Sequence, residues 1–525
     1  MKVLLLHPAY KSYKLTEPLG LCYIASALRN RGFSVDLVDP RIQGTGLEET
    51  VASLLPSLHD YGMIGITASD YYHKELRDTI HLMRKGGAWG HITVGGYGPT
   101  TNWRVFLGLG ADSAVIGEGE VTFLELAEKL CSGTDWRSIP GIACTNSDGH
   151  QVKTAQRQLI GNLDSLPFPS REIYQSFSEK YSKKYISPQI QGSRGCYMHC
   201  SFCSTPDYLK EQGGQVYRTR SVQSIVDEIQ RLTDRFQVTD FEFVDDNFFP
   251  PDRKEALRRA QALRDELAVR GLNITFFMQF RPEYVSLPLL QTLKEAGMTR
   301  MFMGIESVND RDLQLYGRNY TGAEVEETIQ SVLASGYTTD FQSRHRFRYG
   351  YINFHPLSRL DSLKVSGEAF ERYNFTYKKL VKRLELFDNN RQIYLKIIAQ
   401  FPEFSGKRYF KDPQVALFHH WLSRYYQLYT LERDKYRVIE KAVMKGDLAY
   451  SDLEWVTDQR RYYDSQAYHC YRKGLEICGE ASYEMQLKQF FREEIHGLEL
   501  RIKESRAQLR ETNVGLEQDA FDVFF

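Results

Sequence analysis

Cys196, Cys200 and Cys203 stand in the segment QGSRGCYMHCSFC, residues 191–203, with the spacing CxxxCxxC. Thiolates are soft ligands that suit iron–sulfur clusters, and a compact loop can place three of them on three corners of a 4Fe–4S cube. No fourth cysteine follows at short range. One iron is then left without a protein ligand, and an open metal position is one where a substrate binds. Two other chemistries compete for these residues. A ferredoxin-type cluster needs four thiolates and usually a proline after the last, whereas Ser204 follows Cys203. A zinc site would combine the cysteines with His199, but His199 adjoins Cys200, which makes joint tetrahedral ligation awkward.

The surroundings must hold this loop. A length of 525 residues suggests about three domains. With 42% hydrophobic residues, large cores are within reach. The 67 basic and 67 acidic residues balance, which argues against bulk attraction to nucleic acid or membrane. Eight cysteines are too few for a disulfide scaffold, and Cys22, Cys131, Cys144, Cys470 and Cys478 show no paired spacing, so a reducing cytoplasm is the expected home. The start, MKVLLLHPAY, reads as a buried strand rather than a signal peptide, and no stretch approaches the ~20 apolar residues of a spanning helix.

Residues 1–150 alternate short apolar strands with helices, which predicts a Rossmann-like, doubly wound parallel sheet. Ligands of such sheets bind at the carboxyl ends of the strands. The loops there are Asp39 to Gly44, Ala68-Ser69-Asp70, Gly95-Gly96-Tyr97-Gly98 and Gly117-Glu118-Gly119-Glu120. Residues 151–185, with Pro167 and Pro169, read as an extended linker. Residues 186–364 run as a second series of βα units, consistent with a partial TIM-type barrel. Its expected strand ends carry Asp245, Asp246, Asn247, Gln279, Arg281, Glu306 and Ser307. Residues 365–525 are predicted helical, with patterns near 366–388, 412–444, 450–478 and 481–512. Dense tyrosines there suggest a packing face, and a tail carries Phe521, Phe524 and Phe525.

The cysteine spacing, with Phe202 just before the last cysteine, resembles that of the radical S-adenosylmethionine (SAM) enzymes. The resemblance implies a (β/α)6 barrel whose open iron binds SAM and splits it to a 5′-deoxyadenosyl radical. It implies SAM contacts at Phe202, Asp245, Asp246, Asn247, Gln279, Arg281, Glu306 and Ser307. A carboxylate accepts from the SAM ammonium, and an arginine fork grips its carboxylate. The first domain is similar to the cobalamin-binding domain in front of many such barrels, through Pro18-Leu19-Gly20-Leu21, Gly95-Gly96 and Gly117-Glu118-Gly119-Glu120. The implied cobalamin contacts are Asp39, Arg41, Gly44, Ser69, Gly95, Gly96, Tyr97, Gly117, Glu118 and Gly119. The cobalamin fingerprint DxHxxG reads DPRIQG here, with Arg41 in place of the histidine, and an arginine is a poor metal ligand.

A departure follows the last expected strand: residues 354–358 read FHPLS rather than a Gly-x-Pro turn, after the run Arg344-His345-Arg346-Phe347-Arg348. That run fits a solvated edge or an anionic substrate group.

Two activities follow from the resemblance. One is C-methylation of an unactivated carbon of a small-molecule or peptide substrate, with cobalamin as methyl carrier and flavodoxin or ferredoxin as electron donor. The other is a radical deoxygenation, ring contraction or rearrangement without methyl transfer. A non-enzymatic electron carrier would cleave no SAM. Methylthiolation of transfer RNA is disfavoured, because the first domain lacks a second cluster's cysteines and no basic RNA-binding domain is appended.

Overall fold

The structure is a computed structural model that describes residues 1–8, 16–42, 44–69, 72–181, 186–209, 212–340, 343–375, 379–382, 410–444 and 453–511. The chain divides into two compact units. The first comprises Met1–His199, Cys203–Phe280 and Gln291–Thr299; the second comprises Cys200–Phe202, Arg281–Leu290 and Arg300–Phe525.

In the first unit, β1 (Lys2–Leu6), β2 (Ser34–Val38), β3 (Tyr61–Thr67), β4 (His91–Gly95) and β5 (Ser113–Val115) pair in parallel in the order β2-β1-β3-β4-β5. Two antiparallel strands, β6 (Ile142–Thr145) and β7 (Gln151–Lys153), complete a seven-stranded sheet. Side chains alternate across a strand, so β1 feeds two cores. Val3 and Leu5 enter one with Leu21, Leu28 and Phe123, and Leu4 and Leu6 enter the other with Ile64, Ile66 and Ile92. Burial on both faces is what an apolar parallel strand requires. The order reverses between β1 and β3, and at such a switch point the carboxyl ends splay into a crevice.

Three local features depart from the sequence reading. A helix, Tyr97–Leu107, follows β4 where none was expected; Gly98, Pro99 and the non-helical Asn102 blur its periodicity. The sheet runs to Lys153 instead of ending by 150. The expected extended linker contains the helix Glu172–Tyr181. At its head the buried Arg171 donates to Glu17 Oε2 and to Glu228 Oε1, both at 2.6 Å, so the linker is pinned by charge on two sides.

The rest of the first unit holds three parallel strands, β8 (Gln189–Ile190), β11 (Asp240–Phe243) and β12 (Thr275–Phe280). Between them in sequence, β9 (Ser193–Arg194) pairs antiparallel with β10 (Arg218–Thr219). The helices Val222–Phe236 and Arg253–Val269 begin at side-chain caps, Ser221 and Asp252.

In the second unit, β13 (Met298–Glu306) pairs in parallel with β14 (Arg346–Tyr351). β14 takes in part of the arginine run, of which Arg344 and Arg348 are exposed. The helix Leu360–Arg372 follows, then Pro413–Met444, Leu453–Cys478 and Tyr483–Glu511. Tyr425, Tyr426, Tyr429, Tyr436, Tyr463 and Tyr471 are buried, as a packing face predicts, while Tyr462 is exposed. The fold is thus α/β: a Rossmann-like sheet, partial TIM-type βα repeats with five strands assigned among the described residues, and a mostly helical C-terminal region. Asp70 and the tail phenylalanines Phe521, Phe524 and Phe525 lie outside the described residues. No described helix is long and apolar enough to cross a membrane.

Candidate active site

The loop between β9 and β10 carries the cysteines. It leaves β9 through Gly195, whose φ is +78° and where a Cβ would stand 2.0 Å from the Val216 carbonyl oxygen, so only glycine fits. Cys196 and Cys203 are half-buried, Cys200 is buried, and none is in a disulfide. In the second unit, the end of the helix Asp310–Leu315 grips the middle of the loop: Ser201 donates its N–H to Tyr316 O at 3.0 Å and its hydroxyl to Leu315 O at 2.7 Å. Phe202 lies edge-on to the Tyr316 ring. Among the described residues no three His, Cys, Asp or Glu side chains converge on one point, and His199 is exposed. A cube needs no such convergence, since each thiolate takes its own iron; the donor set, three cysteine sulfurs in one short loop, fits it.

After β11, Asp245 and Asn247 of the acidic motif are buried. Ser193 donates to Asp245 Oδ1 at 2.6 Å, and Asn247 Nδ2 donates to the Tyr197 hydroxyl at 2.7 Å. Asp245 Oδ2 and Asn247 Oδ1 are buried with no hydrogen-bond partner, and each such acceptor is costly unless a ligand fills it. Gln279 Nε2 donates to the Asp245 carbonyl at 2.5 Å, which makes Gln279 a brace. The Asp246 side chain is accessible from the cavity that it lines, and desolvation by the surrounding wall raises its carboxyl above the usual range.

Desolvation pushes Asp245 from 3.8 to about 6, against the Ser193 hydrogen bond and Arg259, which act the other way. The folded chain therefore holds this proton at pH values where the unfolded chain has lost it. The associated stability is fully present below 3.8 and lost as pH rises through about 6, on the order of 3 kcal/mol at about 1.36 kcal/mol per unit. In urea titrations from about pH 4 to about pH 8, Asp245→Asn is expected to lack this decline, and parallel curves for variant and wild type would refute the assignment.

Glu306 adopts φ +60° at the end of β13, where the register with β14 shifts, a strained position for a non-glycine residue. Its carboxylate fills the space where a Cβ on Gly304 or Gly350 would stand, at 2.5 and 3.2 Å, and accepts from Arg318 Nη2 at 3.0 Å. Arg318 escaped the sequence reading. It is buried over the Phe202 ring, and its Nε and Nη1 have no partner. Ser307 is turned inward, accepting from Asn309 N at 3.0 Å, which is a turn-forming role. Arg281 pairs with Glu283 and with Cys200 Sγ instead of standing free for a carboxylate. In the departing segment, His355 is buried with Nε2 3.0 Å from Asp312 Oδ1.

A cavity of about 310 Å³ opens in the first unit at the carboxyl ends of β3, β4 and β5. It gathers Gly95, Gly96, Gly117, Glu118 and Gly119 of the expected cobalamin set, and Asp246 of the expected SAM set. It is also lined by Gln191, Ser193, Arg194 and Gly195, the residues leading into Cys196, with Tyr208 and Arg218. Gly96 has φ +101°, and Gly20, also in the lining, has nothing within 4 Å of where a Cβ would stand. A side chain at Gly20 would enter the space, so this glycine cradle fits a flat cofactor laid against backbone.

Asp39, Arg41, Gly44, Ser69 and Tyr97 do not line the cavity. Arg41 binds Asp39 through Nε at 2.9 Å and Nη2 at 2.5 Å, and Nη2 also reaches Thr16 O at 2.8 Å. Tyr97 donates to Ser204 O at 3.0 Å and stacks on Tyr208. Gly44 is exposed, with φ +73°. The Ser69 hydroxyl is buried and unpartnered. Glu118 is taken by Arg218 Nη1 at 2.9 Å and by Arg194 at 3.3 Å, and Glu120 by Arg194 at 2.6 Å. These two glutamates therefore tie the cavity loop to β9 and β10, while Gly117 and Gly119 beside them line the cavity.

Residues 190–343 match the model of the Radical SAM superfamily, and residues 9–127 match that of the B12 binding domain. An uncharacterized methyltransferase of Pyrococcus horikoshii is 27% identical over 353 residues, 64% of this chain and 72% of that protein. The 4'-phospho-dehydrooxetanocin synthase of Priestia megaterium is 25% identical over 387 residues, 68% of this chain and 48% of that protein. A solved structure of the cobalamin-dependent S-adenosylmethionine radical enzyme OxsB, with aqua-cobalamin and S-adenosylmethionine bound, covers 100% of this chain and 83% of its own. The TM-score is 0.79 at 17% identity, a likeness of fold.

Proposed function

The chain belongs to the radical SAM enzymes that carry a cobalamin-binding domain, and from this premise we propose that it methylates an unactivated carbon of a small-molecule or peptide substrate. The observation that carries the proposal is the cavity, whose walls come both from the glycine loops of the first sheet and from the residues leading into Cys196. When bound, the 4Fe–4S cluster and SAM supply a deoxyadenosyl radical, and cobalamin supplies a methyl group.

The chain's own residues hold and orient these groups. Cys196, Cys200 and Cys203 each take one iron. Asp245 Oδ2 and Asn247 Oδ1, acceptors lacking partners, receive the SAM ammonium and hydroxyl protons. In the second unit Arg318, with two free N–H faces, grips a carboxylate, and Glu306 and Phe202 hold its guanidinium in place. Gln279 and Ser307 brace the frame. Gly20, Gly95, Gly96, Gly117 and Gly119 would let a corrin lie against backbone, in a cavity that Asp246 also lines. An external one-electron donor of the flavodoxin or ferredoxin class, in a reducing cytoplasm, completes the system.

The test uses full-length protein reconstituted anaerobically with iron, sulfide and hydroxocobalamin, then reduced and given SAM labelled in its methyl group. About four irons, near-stoichiometric cobalt and label on the bound cobalamin with release of S-adenosylhomocysteine are expected. A second reading, a radical ring contraction or rearrangement without methyl transfer, is favoured by the match to 4'-phospho-dehydrooxetanocin synthase over 68% of this chain. It predicts 5′-deoxyadenosine with no label on cobalamin, and that result would overturn the methyl-transfer proposal.

A further inference from the structure

Arg281 closes β12 and is followed by Pro282, which restricts it to extended backbone; it sits at φ −95°, ψ 154°. The short turn Pro282–Tyr284 brings Glu283 back onto it. The Glu283 carboxylate takes Nε at 3.0 Å and also Nη2, so two of the guanidinium's three nitrogens are fixed on one oxygen. The third, Nη1, is thereby aimed at Cys200 Sγ and donates to it at 3.2 Å. Both residues are buried, at 7% exposure each.

We infer that Arg281 sets the reduction potential of the cluster through its hydrogen bond to the Cys200 sulfur. The inference rests on the reading above that Cys200 is a cluster ligand. The step concerned is the uptake of one electron by the oxidised cluster from the external donor. No bond forms or breaks, and no proton moves, because an arginine stays protonated throughout. The added electron raises the negative charge on the irons and their sulfur ligands. A fixed cation donating to one of those sulfurs stabilises the reduced form more than the oxidised form. Burial keeps that interaction from being screened by water and salt. Arg281 is a positioning residue in this scheme, since it acts through Cys200.

The test is a potentiometric titration of cluster-loaded full-length protein, followed by the EPR signal of the reduced cluster, with SAM left out. In Arg281→Met the reduction equilibrium is expected to become about tenfold less favourable, a fall in midpoint of about 59 mV for one electron. Arg281→Lys, which keeps the charge, should restore most of the difference. Iron content should stay at about four per chain, and SAM affinity by equilibrium dialysis should be unchanged. An unchanged midpoint at full iron content overturns the inference, as does a loss of SAM affinity with the midpoint unmoved, which would return Arg281 to carboxylate binding. If Arg281→Met does not assemble a cluster, Arg281→Gln, a neutral donor, gives the same comparison. The two layers fail separately: a wild-type protein that holds no cluster overturns the premise, whereas an unmoved midpoint overturns only the tuning role.

Discussion

Replacing Cys196, Cys200 and Cys203 together by alanine is expected to leave a folded protein without iron and without SAM cleavage. The loop has no other cysteine. His199 is exposed, and the other five cysteines lie far off in sequence, with Cys22 and Cys144 buried in the first domain and Cys470 and Cys478 buried among the C-terminal helices. The radical depends on an electron delivered through the cluster, so the variant should fall to the uncatalysed background, a loss of about 10⁶-fold or more. The fold should survive, because the loop is held by hydrogen bonds that do not involve the cysteine sulfurs, the Ser201 N–H to Tyr316 O and the Ser201 hydroxyl to Leu315 O among them. Iron analysis, 5′-deoxyadenosine quantified by chromatography and circular dichroism report the three quantities. Deoxyadenosine formed at the wild-type rate would sink the assignment of this loop.

The second large effect is at Arg318. Arg318→Met is expected to weaken SAM binding about 100-fold, or about 2.7 kcal/mol, with iron content unchanged. Two hydrogen bonds from a guanidinium to a carboxylate, at about 1.5–3 kcal/mol each, are enough for a loss of that size. The variant should also lose about 3–5 kcal/mol of stability, because Glu306 is left as a buried carboxylate without its counter-charge. The double variant Arg318→Met/Glu306→Gln separates the two effects. It should recover stability and should not recover affinity. Equilibrium dialysis with SAM and urea denaturation make the comparison, and unchanged affinity in Arg318→Met would show that its free N–H groups serve some other anion.

Local pattern carried most of the architecture. β1, β3 and β4 were legible because each is a short apolar run, largely buried, between glycine- or polar-rich turns; β6 and β7, at the antiparallel edge of the sheet, were not. The helix after β4 was not, because Gly98, Pro99 and Asn102 interrupt the spacing that announces a helix, and its stability comes from packing Trp103 and Phe106 into the core. The cysteines, the acidic motif and Glu306 were legible as types at recognisable spacings. Their partnerships were not. Arg318 reaches Glu306 only because the turn after β13 folds back over Phe202, and Arg281 meets Cys200 across 81 positions of sequence. Arg41, which stands in place of a ligand, proves to be the counter-ion of Asp39 in its own loop.

The paired charges of Glu118 and Glu120 with Arg194 and Arg218 bear on how such proteins can be recombined. A chimera that joins the first sheet of this chain to the barrel of another inherits two nearly buried carboxylates. It inherits the arginines that neutralise them only if the crossover lies beyond residue 218. A crossover in the linker, the obvious seam by sequence, would strand both halves of the network and set the cavity loop adrift from the strand that leads into Cys196. The exchangeable cassette is therefore longer than the sheet it appears to be, and it carries the cluster loop with it.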